Sequence, residues 1–141
     1  VNAEGDSPRA KVTGIGGVFF LAQEDHKALS AWYQEHLGIP IQDWGGGLIF
    51  WKGDTAGDGG LTVWHAAEKD SDWFAPSKSR FMINYRVDDL EKMIEQLESA
   101  GIEIIKGPEY HENGIFAWIM DPQGNKIELW EPMLWDPKNK R

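Results

Sequence analysis

The chain repeats itself, and that limits its fold more than any other feature. Asp25 precedes a stretch ending at Gly38-Ile39, and Asp88 precedes one of the same length ending at Gly101-Ile102, 63 residues later. The final apolar segments also align, Thr62-Val63-Trp64 against Glu128-Leu129-Trp130, at an offset of 66. Only a turn differs in length between the copies. A unit of about 60 residues buries too little surface to be stable alone, so two such units are expected to share one core.

Each copy reads as strand, helix, then three strands. Residues 12–22 are apolar, β-branched or aromatic, and read as a buried strand. Asp25 is placed to cap a helix whose apolar residues Ala28, Leu29, Trp32, Tyr33 and Leu37 share one face. Gly38 supplies the left-handed residue that stops it. Strands are expected at 39–43, 48–51 and 61–65, with 45–47 and 53–60 as glycine-rich turns. In the second copy a strand at 80–87 leads to a helix capped by Asp88, with Glu91 completing a capping box. Leu90, Ile94 and Leu97 form its buried stripe and Gly101 ends it. Strands follow at 102–105, 115–120 and 126–130. The layout is a flexible tail at 1–11, a first module at 12–66, a linker at 67–79, a second module at 80–135 and a flexible tail at 136–141. The fold class is α+β, with tandem βαβββ modules forming a cup-shaped curved sheet.

Charge and composition exclude several functions. The net charge of −9 disfavours nucleic acid and anionic membranes, and permits a cationic ligand. Without cysteine there is no thiolate metal site and no Cys nucleophile. No apolar run reaches the ~20 residues of a membrane span. A cytoplasmic location is expected. The 8 tryptophans suit cores, interfaces and ligand pockets alike.

Two stretches, "AWYQEHLGI" and "DPQGNKIELWEP", together with the tandem βαβββ order, resemble the vicinal oxygen chelate superfamily. That superfamily includes glyoxalase I, extradiol dioxygenases, fosfomycin-resistance enzymes and bleomycin-resistance proteins. The resemblance covers about residues 13–132 and implies the cup-shaped fold. The second stretch also has a purely local reading. Pro122 and Gly124 suit the central positions of a turn that Asp121 closes by accepting a backbone hydrogen bond. It therefore foretells a hairpin more firmly than a reaction.

The resemblance further implies four metal-ligand positions, on the first and last strand of each module. They map to Val18, Thr62, Met82 and Glu128. Only Glu128 is a competent ligand, whereas a catalytic divalent metal needs about three. The histidines do not replace the others. His26 and His36 lie about 280° apart around their helix. His65, three residues beyond Thr62, alternates away from the cup. His111 begins no His-Glu-x-x-His pattern. No cofactor is therefore expected, the alternative being a divalent metal held partly by Glu128.

Strand alternation with Glu128 pointing inward also turns Lys126 and Trp130 inward, and Ile127 and Leu129 toward the helix. The same logic lines the cup with Phe20, Thr62, Trp64, Met82, Asn84 and Arg86. The composition suits a small-molecule pocket, with apolar walls and few polar groups. The first reading is a metal-free binder of a small aromatic or cationic molecule, of the bleomycin-resistance kind. The alternative is a glyoxalase-like lyase or isomerase using Glu128 as catalytic residue, with or without metal. A third is an interaction module with a filled cup. Whether the protein is an enzyme stays open here. A homodimer is expected, to cover exposed sheet edges.

Overall fold

A computed structural model of the chain describes residues 9–50 and 60–133. Trp51, most of the turn expected at 53–60, the first eight residues and the tail at 136–141 lie outside the described residues. The elements run β1 (Val12–Leu21), α1 (His26–Leu37), β2 (Gly47–Phe50), β3 (Leu61–Ala67), β4 (Phe81–Val87), α2 (Leu90–Ser99), β5 (Lys106–His111), β6 (Gly114–Met120) and β7 (Lys126–Pro132). They form one seven-stranded sheet in the order β2-β3-β1-β4-β7-β6-β5. The two copies meet where β1 pairs antiparallel with β4, and within each copy the first strand pairs parallel with the last. The α+β class and the curved two-module sheet expected from the repeat are what the chain adopts.

Local chemistry accounts for the helix ends. Asp25 caps α1 by accepting hydrogen bonds from the Lys27 and Ala28 amides, and Gly38 stops it at φ 71°. α2 is capped by Asp89, not by Asp88 as expected. The Asp89 carboxylate takes the Lys92 amide, while Asp88 takes the Lys11 amide and pairs with its ammonium at 3.4 Å. Two adjacent aspartates made the sequence ambiguous. Ala10, placed in the tail expected at 1–11, is instead buried and exchanges two hydrogen bonds with the Gln96 side chain.

The strands expected at 39–43 and 102–105 do not form. The first is reduced to an isolated bridge between Ile41 and Gly47. The second lies four residues late, because Ile104 and Ile105 are taken up as packing residues of two different clusters. Pairing with β6 then begins at Lys106.

The convex face is covered unevenly. α2 lays Leu90, Ile94 and Leu97 over Val87, Ile115, Ala117, Ile119 and Leu129, with Ile127 at the margin. This stripe matches the expected one. α1 is held mainly through Tyr33, which packs on Phe20 and Trp64. Trp32 and Leu37 of its expected buried face stay in solvent, 51% and 61% exposed, and Leu29 is half-buried. Its apolar periodicity is real but the sheet beneath meets only one edge of it.

Candidate functional site in the concave face

Strand register defines the site. Val63, Gly17, Asn84 and Glu128 lie in one row across β3, β1, β4 and β7, each opposite the next. The row continues through Trp118 on β6 to Lys106 on β5. On the same side of the sheet lies a cluster of Phe19, Ala67, Phe74, Met82 and Trp118. This is the concave face.

Glu128 is the polar centre. β7 exposes alternate residues to this face, so Lys126, Glu128 and Trp130 point the same way while Ile127 and Leu129 meet α2. The turn before β7 fixes that register. Asp121 accepts the Gln123 and Asn125 amides at 2.8 and 2.9 Å, and Gly124 adopts φ 87°. Asn125 holds the Asp121 carboxyl below the usual range, chiefly through its backbone N–H. The Asn84 amide donates to one Glu128 oxygen at 2.6 Å, and the Trp118 indole to the other at 2.9 Å. Burial raises the Glu128 carboxyl above its ordinary 4.5, and these two donors oppose the shift only in part. The Asn84 carbonyl oxygen is buried without a hydrogen-bond partner among the described residues.

β1 makes room for this pair. A Cβ on Gly16 would stand 2.2 Å from the Asn84 oxygen and 2.8 Å from the Trp130 ring. The register of β1 against β4 shifts beside this residue, so the backbone itself forms the wall there.

Aromatic rings line the rest. Phe116 lies parallel to both Trp118 and Trp130, with centroids 6.1 Å away at 15° and 11°. The Trp130 indole is anchored by donating to the Asn113 carbonyl. From the stretch between β3 and β4, Trp73 and Phe74 reach over the same face. Trp73 packs on Phe19 at 4.6 Å, and its carbonyl accepts the Lys126 ammonium at 2.8 Å. Ser79 fastens the same stretch to Asn125. Sequence reading treated residues 67–79 as linker and missed this strap. The Asp70-Ser71-Asp72-Trp73-Phe74 run, two aromatics directly after three polar residues, was the available signal.

Of the expected lining, Met82, Asn84, Arg86, Glu128 and Trp130 are brought together. Phe20, Thr62 and Trp64 are not. They occupy the convex side of the sheet, where Phe20 and Trp64 pack with Tyr33 beneath α1 and the Thr62 hydroxyl donates to the Ile15 carbonyl. The repeat aligned Thr62 with Glu128, but the row places Val63 there. A shift of one residue turns a whole strand over. His65 accordingly faces the cup, contrary to expectation, stacked on Trp44 and edge-on to Trp73. Burial lowers its pKa, and His26 adds to the effect.

The same row replaces the ligand positions mapped at Val18, Thr62 and Met82 with Gly17, Val63 and Asn84. Glu128 remains the single carboxylate of the four, and both its oxygens already accept hydrogen bonds. No group of three or more His, Cys, Asp or Glu side chains that could hold a metal occurs among the described residues. The donor set does not fit a divalent metal.

The model of the Glyoxalase/Bleomycin resistance protein/Dioxygenase superfamily matches residues 15–129. The chain belongs to this superfamily. Solved structures of similar fold carry several names. A methylmalonyl-CoA epimerase from Mycobacterium tuberculosis superposes with a TM-score of 0.57 at 23% identity, over 86% of this chain and 89% of that one. A protein described as NAD-dependent benzaldehyde dehydrogenase from Legionella pneumophila gives 0.55 at 14%, over 82% and 97%. A Mn(II)-bound glyoxalase from Novosphingobium aromaticivorans gives 0.51 at 17%, over 86% of this chain and 40% of that one. At these identities the likeness concerns the fold. No curated protein matches the chain. Among the described residues no helix is long and apolar enough to cross a membrane.

Proposed function

We propose that this superfamily member binds a small flat aromatic molecule in its concave face without a divalent metal. The carrying observation is the row Val63, Gly17, Asn84, Glu128, which offers one ligating side chain where metal chemistry needs about three. The parallel rings of Phe116, Trp118 and Trp130 supply a stacking wall, and the Asn84 oxygen supplies a free acceptor. Trp73 and Phe74 would close over the ligand as the strap. The test is quenching of tryptophan fluorescence by a panel of aromatic compounds, before and after chelation. Saturable quenching that EDTA leaves unchanged supports the reading. No binding across the panel would leave a filled, non-binding cup as the better description.

A second reading has its own observation. A buried carboxyl raised above its ordinary range keeps a proton that an exposed carboxyl would release, so Glu128 is a candidate acid or base for a lyase or isomerase. Turnover of any substrate by wild-type protein that survives in Glu128→Gln would remove it. A homodimer is part of the same proposal, motivated by the exposed Trp32, Leu37 and Trp44. Light scattering giving the mass of one 16.0 kDa chain at micromolar concentration would contradict it.

A further inference from the structure

Lys126 is buried on the concave face, two residues from Glu128 on the same strand. Its ammonium has one hydrogen-bond partner, the neutral Trp73 carbonyl, and no carboxylate within 4.0 Å among the described residues. A buried ammonium without a counter-ion is costly and calls for an explanation. A second cation stands close by. The Lys106 ammonium, on the strand beyond that of Trp118, lies 4.9 Å from the centre of the Trp118 ring, and among the described residues it meets one carboxylate, Glu109 at the rim, at 3.7 Å. Burial, and then the neighbouring Lys106, lower the Lys126 pKa; Glu128 and Asp72 oppose this from a distance. Glu128 is a poor counter-ion, because burial favours its neutral form and its oxygens are committed to Asn84 and Trp118.

The geometry points to an anion subsite: Lys126 and Lys106, on the two strands that flank the strand of Trp118, take the anionic oxygen group of an aromatic ligand. This rests on the aromatic-binding reading and narrows it to aryl carboxylates or similarly charged rings. The ring lies along Phe116 and Trp118, and the carboxylate replaces the Trp73 carbonyl as the Lys126 partner. The net charge of −9 permits a ligand of the opposite sign, but most of that charge sits on exposed carboxylates outside the cup.

The probes are 2-naphthoate, 2-naphthamide and 2-naphthylmethylammonium, which share one ring and differ in charge. Affinities are read by tryptophan quenching and calorimetry at fixed ionic strength. A charge-assisted pair predicts naphthoate binding roughly 10-fold or more tighter than the amide. Lys126→Met and Lys106→Met should each reduce that preference to about 3-fold or less. Lys106 is exposed, so its variant serves even if the buried substitution impairs folding. Naphthamide binding as tightly as naphthoate, or the ammonium binding tightest, overturns the subsite and leaves aromatic binding standing. Failure of all three probes overturns both.

Discussion

Replacing Glu128 separates its hydrogen bonds from its charge. In Glu128→Leu the Trp118 N–H and the Asn84 amide lose their acceptor inside the cup. A buried donor without a partner costs about 1–3 kcal/mol, so the pair costs about 2–6 kcal/mol. Relief of a desolvated carboxyl offsets part of this, leaving a net loss of about 1–4 kcal/mol. Glu128→Gln behaves differently. Its amide oxygen takes the Trp118 N–H. Its NH2 donates to the Asn84 oxygen, now without a partner, once the Asn84 amide turns over. The number of unmet groups stays the same, so stability should remain within about 1 kcal/mol of wild type. The pH dependence gives a second readout. The folded pKa is raised above the ordinary 4.5 of the unfolded chain. Between the two values the folded protein keeps a proton that the unfolded chain has released. Stability therefore falls as pH rises from about 4.5 through the folded pKa, with a limiting slope of about 1.4 kcal/mol per pH unit. Glu128→Gln should lack that decline. Urea unfolding followed by tryptophan fluorescence from pH 4 to about pH 8 measures both effects. If Gln proves as damaging as Leu, ionised Glu128 is stabilising through the lysines and the reasoning fails.

Two further outcomes test the fold around the site. Gly16→Ala places a methyl 2.2 Å from the Asn84 oxygen and should cost about 1–3 kcal/mol by thermal or urea unfolding; an unchanged midpoint would mean β1 yields freely there. Asp89→Ala should cost about 1 kcal/mol through loss of the α2 cap, whereas Asp88→Ala leaves that cap in place and should cost less; the reverse order would restore Asp88 as the cap.

The two-module fold was legible in the chain alone. Its repeat, its glycine stops and the Asp121 turn act over a few residues, where steric and hydrogen-bond rules are local. It also determined which side of β7 faces the cup, because Glu128 gave that strand a reference. On β4, Met82, Asn84 and Arg86 were legible for the same reason. The faces of β1 and β3 were settled by packing across the sheet. Their residues are mostly apolar on both sides, so alternation offers little reference, and an offset of one residue sent Phe20, Thr62 and Trp64 to the convex side and brought Phe19, Val63 and His65 to the cup. Tertiary structure also decided which of two neighbouring aspartates caps α2. The strap of Trp73 and Phe74 over the sheet, and the placing of Lys106 over the Trp118 ring, join segments that are not neighbours in the chain. No periodicity records such contacts, since they arise when β5, β6 and β7 line up and the β3–β4 connection folds over them.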